Sequence, residues 1–149
     1  MKSVVRLSIV VLIFLFVQTG CARNTSELYD AVYEGDMTLV KQLLKNGANI
    51  NDKNPPENDT ALHLAPWRGF EMVKVLVENG ADVNIVNKDD STALIDAAML
   101  GRLDIVKYLV SKDADLNIRN KYGITALSIS KAYNKQDVVD FLVSHGAKE

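Results

Sequence analysis

The chain has 149 residues, with 17 Lys and Arg, 19 Asp and Glu, and a formal net charge of −2. With 48% hydrophobic and 24% charged residues, this composition is typical of one small globular domain and excludes a large multidomain enzyme. The balance of charge argues against a nucleic-acid partner, because phosphate binding needs cations that displace counterions. One cysteine excludes an internal disulfide, and that cysteine with two histidines cannot complete a common zinc site. We therefore expect no metal and no cofactor.

The first twenty residues have the pattern of an export signal. They include Lys2 and Arg6 but no acidic residue, and residues 7–17 are apolar except for Ser8. Crossing a bilayer takes about 20 apolar residues, so this shorter run suits the apolar region of a signal peptide. The sequence therefore predicts that residues 1–20 are a signal peptide, which the mature protein lacks.

Residues 18–21, Gln-Thr-Gly-Cys, resemble the lipobox of bacterial lipoproteins. In that family a small residue precedes a cysteine that is acylated and becomes the new N-terminus, so the resemblance implies a lipid on Cys21. Ala22 stands where an aspartate is associated with inner-membrane retention, which implies the outer membrane and a short tether, 21–25, facing the periplasm. The alternative is an ordinary secretory signal cut after Ala22, which would give a soluble periplasmic or secreted protein.

From residue 26 onward the sequence repeats with a period of 33 residues. Four columns match: Val40, Val73, Val106 and Val139; Leu43, Leu76, Leu109 and Leu142; Ala48, Ala81, Ala114 and Ala147; and Asn51, Asn84 and Asn117. A period of this length indicates a solenoid, in which each unit buries its apolar face by stacking on its neighbours.

The residues inside one unit identify the kind of solenoid. Residues 60–65, Thr-Ala-Leu-His-Leu-Ala, and 80–84, Gly-Ala-Asp-Val-Asn, resemble the opening and the close of the ankyrin repeat. The resemblance covers residues 26–147 and implies an all-α solenoid of helix-turn-helix units joined by short β-hairpin loops. We place about four repeats, at about 26–54, 55–86, 87–119 and 120–149.

Local signals give the same layout. A hydroxyl residue stands at the head of each first helix, where its oxygen can accept an unpaired helical N–H. Glycine follows most second helices, where a left-handed cap is easily adopted without a Cβ. The predicted caps are Ser26, Thr60, Thr92 and Thr125 at the helix starts, and Gly47, Gly80 and Gly146 at the helix ends, with Asp113 in the glycine position of the third repeat.

The second repeat departs from this pattern. The loop 52–59 is one residue longer than its counterparts and contains two prolines, and Gly69 precedes Val73 by four residues where other repeats have five. Pro66 stands inside the first helix, where it lacks an N–H and clashes with the preceding turn. We therefore expect a distorted first helix in this repeat.

The fourth repeat carries Ser130 and Lys131 where the third carries Ala97 and Ala98. Polar residues suit a terminal unit whose outer face meets water. We therefore expect both side chains on the exposed end of the stack.

No constellation typical of catalysis stands out. The resemblance implies that His63 bonds a neighbouring turn, and His145 lies in a last helical turn, where it can bond free carbonyls. Asp30 and Asp96 share a register and could suggest an acid–base pair, but they are two repeats apart, roughly 20 Å in a solenoid. We therefore predict that the protein is not an enzyme.

The resemblance also implies where a partner binds. In the ankyrin fold the groove is built from hairpin tips and from the two positions before each interhelical glycine, and aromatic residues with arginine are typical of interface centres. The alternative is that the rings only pack on neighbouring repeats. The predicted protein-binding residues are Tyr33, Trp67, Arg68, Met99, Leu100 and Tyr133 on the helices and Glu57, Asp59, Lys88, Asp89 and Tyr122 at the tips.

Together these features predict an exported, monomeric protein-binding module that touches the membrane only through a lipid anchor. One role would be to stabilise or localise a periplasmic or membrane-associated protein. The alternative is an immunity protein that neutralises an antibacterial toxin acting in the periplasm. The sequence does not distinguish the two.

Overall fold

The computed structural model describes residues 26–148. The predicted signal peptide 1–20 and the tether 21–25 with Cys21 lie outside the described residues. In the described part the chain forms α1 Glu27–Glu34, α2 Met37–Lys45, α3 Ala61–Arg68, α4 Phe70–Glu78, α5 Ala93–Leu100, α6 Leu103–Val110, α7 Ala126–Ala132 and α8 Gln136–Ser144. None of the helices in 26–148 is long and apolar enough to cross a membrane.

The helices stack as two layers of paired helices. In every repeat the first helix packs on the second, and the first helices α1, α3, α5 and α7 pack on one another in succession. The second helices α4, α6 and α8 meet their neighbours less extensively. The stack therefore curves with the first helices on its concave side, and the predicted all-α solenoid is confirmed.

The valine and leucine columns form the core between these layers. The valine column is buried in all four repeats, and the leucine column is fully buried at Leu76, Leu109 and Leu142. Leu43 of the first repeat is only half-buried, because no described unit precedes it. The repeat period thus arises from the requirement that every unit bury its apolar face on the next one.

A hydroxyl residue is the N-cap of each of the four first helices, as predicted. The Thr92 hydroxyl accepts from the Ile95 N–H at 3.4 Å, the Thr125 hydroxyl accepts from the Ser128 N–H at 3.1 Å, and Thr60 forms a capping box with His63. Ser26 is the N-cap residue of α1, as predicted, but its side chain makes no capping bond.

The predicted helix ends are confirmed. Gly47, Gly80 and Gly146 follow their second helices with φ of 85°, 94° and 84°. Asp113 adopts φ 64° at the same place, in the left-handed region that disfavours residues with a Cβ.

The asparagine column joins successive repeats. Each of these side chains reaches the backbone of the following unit and accepts a bond from an N–H that no helix or strand would otherwise pair. The bonds run from Asp82 N–H to Asn51 Oδ1 at 3.0 Å, from Asp115 N–H to Asn84 Oδ1 at 2.8 Å, and from Lys148 N–H to Asn117 Oδ1 at 2.8 Å.

The irregularity of the second repeat lies in its interhelical turn. Helix α3 runs through the buried Pro66 without a break, so the proline does not interrupt this helix. Gly69 alone joins α3 to α4, with φ 118° and ψ 174°, whereas Gly35 and Gly101 adopt the left-handed helical conformation in two-residue turns. The spacing from Gly69 to Val73 is therefore one residue shorter because Gly69 alone forms the turn.

Ser130 is fully buried, so the prediction that it faces water is wrong. Its hydroxyl donates to the Leu127 carbonyl at 2.8 Å, which satisfies the buried polar group within its own helix. Lys131 is exposed, as predicted.

Three loops project beside the first helices, and we call 52–59 finger 1, 87–91 finger 2 and 120–124 finger 3. Fingers 2 and 3 are closed by bonds from Asn87 N–H to Ser91 O and from Asn120 N–H to Ile124 O, both at 3.0 Å. Within residues 26–148 the one β-bridge joins Asn54 and Asp59, and no strand forms. In the described residues the loops thus contain no strands, unlike the short β-hairpins that the resemblance implies.

Candidate functional site

An exposed row of large side chains crosses the concave side, and we call Tyr33, Trp67, Met99, Leu100 and Tyr133 the aromatic stripe. Tyr33 and Trp67 are 56% exposed and Tyr133 is 54% exposed, while Met99 and Leu100 are half-buried. Each of the three ring residues keeps more than half of its surface open, so packing on the neighbouring repeats covers less than half of each.

The stripe follows from the repeat register. Tyr33, Trp67 and Met99 are each the seventh residue of a first helix, Leu100 is the eighth, and Tyr133 directly follows α7. Because successive first helices pack side by side, equivalent positions lie in one row across them. Residues that are more than thirty positions apart in sequence therefore belong to one surface.

Arg68 is bound within the chain. Its Nε donates to the Val32 carbonyl at 3.1 Å, its guanidinium also donates to the Tyr33 carbonyl, and its Cζ lies 5.3 Å from the centre of the Tyr33 ring. These contacts satisfy the end of α1, whose last turn has no basic residue of its own. Arg68 thus joins two repeats and covers one face of Tyr33.

The fingers are joined by a ladder of backbone bonds. The Lys88 N–H donates to the Glu57 carbonyl at 2.8 Å, and the Lys121 N–H donates to the Asp89 carbonyl at 2.9 Å. The Lys88 ammonium forms an ion pair with the Glu57 carboxylate, and this hydrogen bond raises the pKa of Lys88 above its ordinary value. Glu57, Lys88 and Asp89, which the sequence predicts for binding, therefore also connect neighbouring repeats.

Two other predicted tip residues differ in their surroundings. Asp59 is half-buried and its carboxylate accepts from the Asn87 side-chain amide at 2.8 Å, which ties finger 1 to finger 2. Tyr122 is 72% exposed on finger 3. Of the tip residues that the sequence predicts for binding, Tyr122 offers the largest open side chain.

Both histidines have structural surroundings. His63 is buried: its Nδ1 accepts from the Thr60 N–H at 3.1 Å, and its Nε2 donates to the Ser91 carbonyl of finger 2 at 3.0 Å. Burial lowers the pKa of His63 below its ordinary value. The exposed His145 donates to the Phe141 carbonyl at 2.8 Å. The expected contact of His63 with a neighbouring turn and the expected carbonyl bond of His145 are both present.

Asp96 is a site residue that sequence reasoning did not select. It lies on α5 three residues before Met99 and four before Leu100, so it shares their helix face. Burial, with a smaller contribution from the charge of Asp59, raises the pKa of Asp96 to about 7. Asp30 lies on α1, with α3 between it and α5, so the two aspartates do not form a carboxylate pair.

The outer side offers a different surface. A cleft of about 580 Å³ lies between α2 and α4, and charged side chains, among them Lys41, Lys45, Lys74 and Glu71, line most of it. A small-molecule pocket is usually more apolar. Within 26–148 no group of three or more His, Cys, Asp or Glu side chains is placed to hold a metal ion.

Comparison with known families agrees with this architecture. A family model described as ankyrin repeats (3 copies) matches residues 28–120 and 67–149, which together span most of the chain. No curated protein matches the sequence. Given this match and a stack of paired helices joined by projecting turns, the chain belongs to the ankyrin-repeat family.

Proposed function

We propose that the protein is an exported binding module that holds another protein against the aromatic stripe and catalyses no reaction. Ankyrin repeats imply a protein-interaction module. The observation that supports this particular surface is the exposure of Tyr33, Trp67 and Tyr133, since exposed rings in a row are typical of the centre of an interface.

The proposal includes a lipid anchor at Cys21 and a position facing the periplasm. It is supported by the basic and apolar residues 1–17 and by the small residue before Cys21. Four residues separate Cys21 from Ser26, and an extended chain spans about 3.3–3.6 Å per residue, so the repeats would be held within roughly 17 Å of the membrane. This placement favours a role in stabilising or localising a periplasmic or membrane-associated partner.

Trp67→Ala and Tyr133→Ala should each weaken capture of the partner at least about tenfold, because truncating a central aromatic residue removes about 1.4 kcal/mol or more of binding free energy. The measurement is quantitative co-purification from envelope extracts with the tagged full chain. Val143→Ala is a matched control, since Val143 is an equally exposed apolar residue on the outer helix α8. Equal capture by all three variants would refute the assignment of the stripe.

Cys21→Ser tests the anchor separately. Without a thiol to acylate, the chain should leave the membrane fraction, because the lipid provides the membrane affinity. Fractionation of cells that express the tagged variant measures this, with Ser26→Ala as a nearby control. Unchanged membrane attachment of the Cys21 variant would contradict lipidation and favour another form of association.

A further inference from the structure

The charge of the solenoid is unevenly distributed between its two sides. We define the groove side, with the first helices and connecting loops, as residues 26–34, 46–68, 81–100 and 115–133, and the outer side as the remainder of 26–148. The groove side carries eleven acidic and six basic side chains, a net charge of −5. The outer side carries seven acidic and eight basic side chains, a net charge of +1. The partner-facing side is therefore acidic.

Most cations of the groove side are already bound within the chain. Arg68, Lys53 and Lys121 donate to backbone carbonyls of neighbouring repeats, and Lys88 is paired with Glu57. Arg119 also donates to the Gly123 carbonyl at 3.4 Å, so five of the six basic residues on this side are held by contacts within the chain. A cation keeps its charge when it donates to a carbonyl, so the net charge of −5 already includes all six basic residues, and the field that this charge produces attracts positive charge.

Asp96 is central among these acidic residues. It lies in the third of four repeats, and the equivalent register positions on the adjoining helices α3 and α7 hold the apolar Leu64 and Ile129. Within 26–148 no hydrogen bond or ion pair reaches the Asp96 carboxylate, and the nearest influence of another charge is the repulsion of Asp59. The carboxylate is thus half-buried, and no donor in this part of the chain compensates its charge.

A carboxylate in such surroundings is costly when charged, unless a cation is placed against it. Asp96 shares a helix face with Met99, and Trp67 lies in the same row on the adjoining helix. Apolar and aromatic surface of this kind suits the aliphatic stem of lysine or the planar group of arginine. The site therefore offers both the charge and the packing that a basic side chain needs.

We propose that the partner presents a basic segment to the groove and that one of its lysine or arginine side chains binds Asp96. This inference rests on the proposed function, since it specifies the chemistry of the partner that the aromatic stripe holds. Asp96 selects the charge of the partner, and the rings of the stripe supply contact area around it.

Other ionisable groups lie on the elements that pack against α5. They are His63 and Arg68 on α3, Arg102, Asp104 and Lys107 at or in α6, Lys131 on α7, and Asp59 in finger 1. His63 is turned to finger 2, Arg68 to the end of α1, and Arg102 lies 3.6 Å from Asp104. Asp59 is the member of this set whose charge acts on Asp96. A basic partner would therefore meet two acidic groups.

The test uses the full chain, purified in mild detergent, and a phage-displayed library of random dodecapeptides selected at about pH 8. Selected peptides should be rich in lysine and arginine. They should bind the wild-type chain at least about tenfold more tightly than the Asp96→Asn variant. Replacing each arginine of a selected peptide by citrulline should lower its affinity for the wild-type chain by a similar factor. Near pH 5.5 the difference between wild type and Asp96→Asn should fall below about twofold, because Asp96 is then protonated.

Trp67→Ala and Asp104→Asn distinguish the ways in which the test can fail. Peptides that depend on Trp67 but bind Asp96→Asn as well as wild type would overturn the role of Asp96 and leave the proposed function intact. Peptides that ignore Trp67 would overturn the proposed function as well. An equal loss with Asp104→Asn, which lies on the outer helix α6, would show that general charge rather than Asp96 attracts the peptides, and would also overturn the inference.

Discussion

Asp96→Asn is expected to stabilise the fold by about 2–4 kcal/mol at pH 8 and to change it little near pH 4. Burial raises the pKa of Asp96 from 3.8 to about 7, so the folded chain keeps a proton that the unfolded chain releases between these values. Stability from this group is therefore present below about pH 4, is lost as the pH rises, and is fully lost above about pH 7. Asparagine keeps the shape without the charge and removes this penalty.

Urea unfolding of the full chain at the two pH values measures the effect. At pH 8 the variant should unfold at higher urea concentration with an unchanged m-value, because the surface exposed on unfolding stays the same. Asp104→Asn is the control, since the Asp104 side chain is 52% exposed and lies on the outer helix α6. Equal gains in the two variants, or no gain for Asp96→Asn at pH 8, would contradict the assignment.

A stabilising substitution on the groove side bears on function. Proteins keep residues that reduce stability mainly where binding or chemistry needs them. If Asp96→Asn gains stability and loses basic peptides, the same desolvated carboxylate accounts for both results. Keeping the Asp96 carboxylate charged then costs free energy in the unbound protein. A bound cation removes that cost, which explains why Asp96 would favour a basic partner.

The overall fold could be read from the sequence because its signal is repeated. Val73, Val106 and Leu109 are fully buried in the structure, and their spacing alone indicates which face of each second helix is buried. The left-handed conformation of Asp113 could also be predicted, since Asp113 stands in the glycine column. In a repeat protein each position can be compared with the equivalent positions of the other repeats. This comparison shows which positions are buried or form caps, which local propensity alone does not show.

Details that depend on neighbouring repeats could not be read in this way. Arg68 looked like an open interface residue, yet its guanidinium binds the end of α1, a contact that needs the stack to be assembled first. Ser130 looked like a surface residue, although a small hydroxyl can return its bond to its own helix and be buried. The burial of Asp96 likewise depends on the adjoining helices α3 and α7, whose equivalent positions hold Leu64 and Ile129.

His63→Ala is expected to destabilise the fold by about 3 kcal/mol at pH 7.5 or above. The side chain is buried, and its loss leaves the Thr60 N–H and the Ser91 carbonyl without their partner and opens a cavity between α3 and finger 2. Each unsatisfied buried group costs about 1–3 kcal/mol, and a cavity adds to this cost. Urea unfolding at fixed pH measures the difference.

The pH dependence of this loss should have the opposite sign to that of Asp96. Burial lowers the pKa of His63, so its stabilisation is present above the ordinary pKa of 6.5 and is lost as the pH falls toward the folded value. The deficit of His63→Ala should therefore shrink on acidification, while His145→Ala, at an exposed helix end, should cost under about 1 kcal/mol at either pH. A deficit that grows on acidification, or equal deficits for the two histidines, would mean that His63 does not join finger 2 to the second repeat.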